Sequence, residues 1–306
     1  MHSPKYSLLL PVRNEAGRID QVVRAVFSDL GANPAWEICF ADDFSDDGTH
    51  ERLRILADIF PFRLIRPPEN LGRGAIRNLL AREARAPLLV FLDGDCKVLP
   101  GFFKAWEAPD LDPDIAYLGK ISYDGHPRSG FSRFLARGSG IGKMRRKEGI
   151  PPAYFISQNF RLSKAVFEKA GGFRTDLLGW GGEDVDLGCK LRRLGVPLRY
   201  NGDAEVRHPS VTGLESYFAR LFHFGRVNLP VLIGDNPELS AQFKLGFARR
   251  PWGLIFANPL AFSLCRSLVT GAKGWPWPYA LYRYVIFNCY ARGYRQAPPR
   301  RESPAP

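Results

Sequence analysis

The sequence predicts an α/β protein: a mixed, mostly parallel sheet flanked by helices, with a helical extension at its C-terminal end. Three observations carry this. Short apolar runs alternate with amphipathic helical segments from residue 6 onward. One run, Leu88-Leu-Val-Phe-Leu92, has five apolar residues in a row with no helical spacing, as a strand covered on both faces of a parallel sheet requires. Three successive strands end in acidic or polar clusters, which would bring those clusters to one sheet edge, where open α/β sheets bind ligands.

Taken in order, Tyr6 to Val12 reads as the first strand and Arg18 to Leu30 as a helix with Ile19, Val22, Val23, Val26, Phe27 and Leu30 on one face. The second strand, Trp36 to Ala41, runs into Asp42-Asp-Phe-Ser-Asp-Asp-Gly-Thr49, and a helix with Leu53, Leu56 and Ile59 follows. Thr49 is the expected N-cap. From Asp43 the spacing superficially matches a calcium loop, but its twelfth position is Arg54 where a bidentate Glu belongs, which excludes an EF-hand. Phe62 to Ile65 makes a third short strand, and Pro67 to Gly74 leads into a helix with Ile76, Leu79 and Leu80 inward. Gly72 and Gly74 hint at a dinucleotide fingerprint, yet residue 77 is Arg, so a Rossmann dehydrogenase is not expected. Leu88 to Leu92 then delivers Asp93-Gly-Asp95.

Beyond Pro100, Ile115 to Ser122 and Gln158 to Leu162 read as strands, and Lys164 to Ala170 as a short helix. Gly125 to Gly149 is rich in Gly, Arg and Lys with little core signal: either a mobile basic loop that closes over a phosphate or an ordinary solvated loop. Gly179-Trp-Gly-Gly-Glu-Asp184 opens a helix that runs to Leu194. In the last ninety residues Phe218, Leu221, Phe222, Trp252, Trp275, Trp277 and several tyrosines mix with Arg and Lys. That mixture suits helices in a membrane interface or a helical cap on the core. Residues 298–306 are expected to be a disordered tail.

Composition narrows the class. The chain has 306 residues, 45% of them hydrophobic and 24% charged, ordinary for a folded protein of one large domain or two smaller ones. Its net charge of +12 favours an anionic partner. Five widely spaced cysteines without a C-x-x-C pair argue against a disulfide framework and a zinc site. Leu8 to Val12 is too short for a signal peptide, and no segment reaches the roughly 18 uncharged apolar residues of a membrane span. A cytoplasmic location, with peripheral attachment to a membrane face, is the expectation.

Several residues carry candidate chemistry. Asp93 and Asp95 can both reach a hard divalent cation, and the missing side chain of Gly94 lets a diphosphate approach; the same residues also fit a plain turn. Glu183 and Asp184 fall in a first helical turn, where the dipole alone would favour them. Trp180, with Gly181 and Gly182 beside these acids, suits a sugar ring. His208 by itself is a single imidazole.

Together Pro11-Val-Arg-Asn-Glu15, Asp42-Asp43 with Asp47-Gly-Thr49, Asn70-Leu-Gly-Arg-Gly-Ala-Ile-Arg-Asn78, Asp93-Gly-Asp95 and Gly179-Trp-Gly-Gly-Glu-Asp184 resemble the ordered motifs of family 2 glycosyltransferases with the GT-A fold. The likeness spans roughly residues 6 to 210. The Gly-Trp-Gly-Gly-Glu-Asp segment is also similar to that of β-1,4-galactosyltransferases and polypeptide N-acetylgalactosaminyltransferases, where it sits at the acceptor site. The resemblance implies a GT-A nucleotide-diphospho-sugar transferase domain over 1–214, with a donor half to about residue 100 and an acceptor half over 101–214, and a helical extension over 215–297. It assigns Pro11, Glu15, Asp42 and Asp43 to the nucleoside and Arg77 to the base or diphosphate. Arg13 falls in the same nucleotide-sugar site but stands where the family often has an aromatic residue, so stacking is not implied for it. Asp93 and Asp95, flanking Gly94, would bind Mn²⁺ or Mg²⁺ on the donor diphosphate with His208 completing the shell. Asp184 would be the catalytic base, with Glu183 and Trp180 on the acceptor. The implied reaction is inverting transfer from a nucleotide sugar, UDP-linked by preference, to a glycan, lipid-linked or peptide hydroxyl. An anionic membrane surface is a further expected partner. Nucleic acid is not expected. A sugar nucleotidyltransferase and a basic nucleic-acid-binding protein remain the alternatives.

Overall fold

The computed structural model describes residues 3–124, 130–135, 149–209, 213–248, 258–271, 275 and 277–298. Strand β1 (Tyr6–Val12), helix α1 (Ile19–Leu30), strand β2 (Trp36–Asp42), helix α2 (Thr49–Ala57), strand β3 (Arg63–Ile65), helix α3 (Arg73–Glu83) and strand β4 (Leu88–Leu92) make a parallel half-sheet. Its alternation follows from the sequence periods: apolar runs become strands, and Ile19, Val22, Val23 and Val26 bury one face of α1. Strand β5 (Lys97–Val98), helix α4 (Phe102–Trp106), strand β6 (Ala116–Tyr123), strand β7 (Asn159–Ser163), helix α6 (Lys164–Lys169), helix α7 (Glu183–Arg193) and strand β8 (Leu198–His208) follow, with helix α5 (Gly130–Arg133) lying between β6 and β7 in the chain. The strand order is β3-β2-β1-β4-β7-β6-β8-β5.

Strands β4/β7, β6/β7 and β5/β8 pair antiparallel, whereas β6/β8 is parallel. Two pairings position the chemistry. Leu92 lies opposite Asn159, so β7 starts beside the carboxyl end of β4. Lys97 lies opposite Arg207, so the two-residue strand that follows Asp95 pairs with the end of β8, next to His208. Leu8, Leu10 and Val12 pack on one side of the sheet with α1 and Trp106. Leu9 packs on the other with Ile76, Leu80, Phe91, Leu187 and Leu191. Alternate residues of β1 thus enter opposite apolar layers, as a doubly covered strand must.

The β6/β8 register breaks between Gly119 and Lys120. Asn159 enters the irregularity, its Nδ2 donating to Ala204 O at 2.9 Å and to Lys120 O at 3.3 Å. A Cβ on Gly119 would collide with that amide, so the glycine is required there.

Some expectations are corrected. Thr49 does not cap α2: Gly48 precedes the helix in a left-handed conformation without a side-chain cap, and Thr49 Oγ1 accepts from Glu15 N at 2.8 Å. Asp47 does the local work instead, its Oδ1 accepting from Thr49 N at 3.0 Å. Ile59 lies past the end of α2 and is exposed. Much of Gly125 to Gly149, including the proposed closing loop, lies outside the described residues. Within its described part, Phe131 and Phe134 are fully buried, so the segment does carry core. The expected tail likewise lies outside the described residues beyond 298.

The described residues form two compact units. The first, comprising residues up to 124, 149–175 and 183–209, holds the whole sheet. The second comprises 130–135, 176–182 and the residues from 213 on. Helices α8 (Leu214–Arg226) and α9 (Asn228–Asp235), the helix Pro259–Gly271 and the C-terminal helix Tyr279–Arg295 build this second unit around Phe131, Phe134, Phe218, Leu221, Tyr282 and Val285. Helix α8 and the C-terminal helix meet backbone to backbone. A Cβ on Gly225 would overlap the Tyr290 carbonyl, and one on Gly293 would overlap that of Phe222. Gly225→Ala is therefore expected to cost about 1–3 kcal/mol by overpacking and to lower the melting temperature by about 2–4 °C per kcal/mol. A melt identical to that of the native chain would show that these backbones do not meet.

Candidate active site

At the carboxyl edge of the parallel half-sheet, the β1–α1 and β2–α2 loops are fastened to each other. Asn14 N donates to Ser45 Oγ at 2.9 Å, Glu15 N to Thr49 Oγ1 at 2.8 Å, Ala16 N to Asp47 Oδ2 at 3.0 Å and Asp46 N to Asn14 Oδ1 at 3.1 Å. Asn14 takes a left-handed conformation, φ 56°, which a short amide side chain tolerates. This fixes Pro11 and Glu15 half-buried and leaves Arg13 exposed. Burial, and then the charge of Asp95, pushes the Glu15 carboxyl up.

The neighbouring pair, Asp42 and Asp43, is bonded within the chain. Asp42 is fully buried, 3.3 Å from His50 Nδ1 and 3.4 Å from Arg66 Nε, and its Oδ1 accepts from Ser45 N. Asp43 accepts from Leu71 N at 2.7 Å and Gly72 N at 3.0 Å, while Asn70 Nδ2 donates to its carbonyl. The carboxylate thereby sets the entry to α3. Phe44, which the sequence reading passed over, is 46% exposed in a left-handed conformation, φ 61°, with Arg66 5.3 Å from its ring centre.

Helix α3 carries Arg77, buried and bonded to the Asp93 carboxylate, with Nη1 donating to Arg73 O at 3.0 Å. Burial would raise the Asp93 carboxyl, but Arg77 and Arg73 outweigh it and hold Asp93 below the ordinary range. The same guanidinium interacts with Glu183 and Asp184, and the three carboxylates keep it charged against the burial that opposes it. Arg77 is thus the hub that draws residues ninety positions apart into one electrostatic cluster.

Asp95 faces His208, Oδ2 to Nε2 3.3 Å. Nδ1 of that imidazole lies 2.6 Å from Pro209 O. A carbonyl only accepts, so Nδ1 carries the proton of this bond. In the neutral ring, Nε2 then directs a lone pair at a carboxylate. A cation between them or a second proton on the ring satisfies both acceptors, and the tautomer is the one a metal ligand needs. Asp95, Cys96 and His208 offer ligand atoms all within 4.8 Å of one another. Burial, and then the two neighbouring carboxylates, pushes the Cys96 thiol far up, and a soft thiol is a poor ligand for a hard cation. Asp95 and His208 are therefore the pair that fits a metal, while Asp93 is held by Arg77. Gly94 has its own reason: a Cβ there would lie 2.6 Å from Pro11 O and 2.7 Å from Val12 Cγ2. The space beside it is filled by β1.

Helix α7 begins with Glu183 and Asp184. Burial and then Glu183 push the Asp184 carboxyl up to about 7, against Arg77 and a hydrogen bond from Ser157 N at 3.3 Å. Asp186 is tied to Lys190 at 2.8 Å.

Trp180, Gly181 and Gly182 belong to the second unit. Gly179, Gly181 and Gly182 all have positive φ, which explains why three glycines surround one tryptophan. Asn228, buried at the head of α9, holds this loop: its Nδ2 donates to Leu178 O at 3.0 Å and Gly181 O at 2.8 Å, and its Oδ1 accepts from Leu178 N. No sequence pattern marks Asn228, because its partners lie about fifty positions away. Arg220 lies 5.5 Å from the Trp180 ring, and Tyr217 packs edge-on against it.

Comparison with known proteins places this geometry in context. The family model described as glycosyl transferase family 2 matches residues 7–171, and that described as the N-terminal domain of galactosyltransferase matches 150–208. Validoxylamine A glucosyltransferase of Streptomyces hygroscopicus is 28% identical over 230 residues, 64% of this chain and 53% of its own length. Polypeptide N-acetylgalactosaminyltransferase 3 of Mus musculus is 29% identical over 238 residues, 69% of this chain and 36% of its own length. The chain thus spans about half the length of the first relative and less of the second. Among solved structures, the mannosyltransferase PcManGT of Pyrobaculum calidifontis, in complex with GDP-Man and Mn²⁺, superposes with a TM-score of 0.59 at 17% identity, covering 96% of this chain and 87% of that one. The shared architecture is the GT-A fold.

Proposed function

Since this chain belongs to glycosyl transferase family 2, we propose that it is an inverting, metal-dependent transferase moving a sugar from a nucleoside diphosphate to an acceptor hydroxyl. The observation that carries the reading is Asp184: a half-buried carboxyl, raised to about 7, sharing Arg77 with the Asp93 carboxylate. A general base works best when its pKa lies near the working pH.

Asp95 and His208 would hold the cation, and their mixed oxygen and imidazole set suits Mn²⁺ better than Mg²⁺. When bound, the ion supplies neutralisation of the charge that develops on the leaving diphosphate. Arg77 and Asp93 fix the floor of the site. Asp42 and Asp43 act as positioning residues that hold the nucleoside edge formed by Pro11, Arg13 and Glu15. Asp184 takes the proton from the acceptor hydroxyl as its oxygen bonds to the anomeric carbon and the carbon–phosphate-oxygen bond breaks on the opposite face. The electron pair leaves with the diphosphate, the proton stays on Asp184, and configuration inverts. Glu183, and in the second unit Trp180 with Gly181 and Gly182, are proposed acceptor contacts. The donor proposed is a UDP-sugar in preference to a GDP-sugar, as the resemblance of the Gly179-Trp-Gly-Gly-Glu-Asp184 segment implies.

Purified protein incubated with UDP- and GDP-sugar panels, Mn²⁺ and glycan, lipid-linked or peptide acceptors is expected to give transfer or slow donor hydrolysis. Neither product with any donor, together with no calorimetric binding of UDP or GDP in Mn²⁺, would end this reading.

A further inference from the structure

The helix Pro259–Gly271 keeps one face in the core of the second unit and, among the described residues, leaves the other exposed. Val269 is buried, and Phe262 and Cys265 pack against the same cluster. Leu260, Leu264 and Leu268 recur every four residues, which puts them on one stripe. They are 81%, 62% and 38% exposed, and Trp275, just past the helix, is 61% exposed. Isolated exposed leucines need no explanation, but a spaced row ending at a tryptophan does.

Sequence around the stripe tells what covers it. From Pro251 to Gly271 the only charged residue is Arg266, and the stretch is bracketed by Arg249-Arg250 and Lys273. Arg266 is paired with Glu215. From residue 210 to the C-terminus, twelve Lys and Arg stand against four Asp and Glu, so most of the +12 net charge lies in this part of the chain. A second copy of the chain would have to bring one such basic segment against another. An anionic bilayer surface accepts both features, with leucines below the headgroups and cations among them. The helix has 13 residues, about 20 Å at 1.5 Å per residue, and a hydrocarbon core is about 30 Å thick. Among the described residues no helix is long and apolar enough to cross a membrane. A stripe on such a helix would lie in the interface plane, with the tryptophan at its end where that ring is favoured.

We propose that Leu260, Leu264, Leu268 and Trp275 form a docking face for the surface of an anionic membrane. The proposal does not depend on the transferase reading. Its test is flotation of the full chain with phosphatidylcholine vesicles, alone and with phosphatidylglycerol added. The native chain is expected to float with the anionic vesicles and to float less as salt rises. Leu260→Ser with Leu264→Ser is expected to weaken partitioning at least about tenfold, because withdrawing a leucine from water is worth that much or more. Both positions are exposed, so the melting temperature and UDP binding should stay unchanged and separate this result from a failure to fold or to bind donor. Native protein that stays at the bottom with either vesicle would overturn the proposal. So would a concentration-dependent dimer in light scattering that the double substitution dissolves, which would give the face to a second copy.

Discussion

Asp184→Asn is expected to lower sugar transfer by about 10²- to 10⁴-fold, the range of general acid–base catalysis, while donor binding and slow donor hydrolysis persist. The same substitution should raise the melting temperature at alkaline pH. Burial and Glu183 raise this carboxyl to about 7, so the folded chain holds the proton more tightly than the unfolded chain does. The carboxyl therefore costs nothing below the ordinary carboxylate range. Its cost grows as pH climbs from there toward 7 and is complete above 7. A neutral amide removes that cost, so the Asn variant should gain stability near pH 8 and lose the advantage near pH 4. The native rate should fall as pH drops through about 7, since only the ionised form accepts a proton. Unchanged turnover, or a variant less stable than the native chain at pH 8, would remove Asp184 from the base role.

His208→Ala and Asp95→Asn are each expected to abolish Mn²⁺ binding, read directly by paramagnetic resonance of the bound ion. Transfer should fall with it, since a metal contributes several kcal/mol to stabilising developing charge, on the order of a thousandfold in rate. Asp93→Asn offers the contrast. Its carboxylate makes the direct bond to the buried Arg77, and removing it, with only Glu183 and Asp184 left to balance the guanidinium, is expected to cost about 3 kcal/mol of stability. Asp95 is pushed up chiefly by its own burial, so Asn in its place should leave the metal-free fold as stable as before. If Asp93→Asn lost Mn²⁺ without loss of stability while Asp95→Asn kept the ion, the two aspartates would have to exchange roles.

The strands and helices of the first unit were legible because their periods are local: β1, β2 and β4 are apolar runs and α1 a clean amphipathic stripe. The acids at their ends were legible for the same reason. What decides their roles was not. The two-residue strand Lys97–Val98 has no signature of its own, yet its pairing with β8 sets Asp95 beside His208. Arg77 holds the Asp93 carboxylate through a contact sixteen positions long in sequence. Phe131 and Phe134 sit in a segment whose Gly, Arg and Lys content masked them, and only packing against Phe218 and Tyr282 reveals them as core. Thr49 looked like a cap by type, but the longer-range bond from Glu15 N claimed its hydroxyl. Each miss is a local preference overruled by a distant partner.

The four hydrogen bonds that stitch residues 14–16 to residues 45–49 also bear on how this protein can be re-engineered. Neither loop holds its shape through its own residues alone, since each also supplies acceptors that the other's amides require. Grafting one of them alone from a relative with a different nucleotide preference would strand donors on both sides of the seam. The transferable module is the pair, and a chimera should exchange both together or neither.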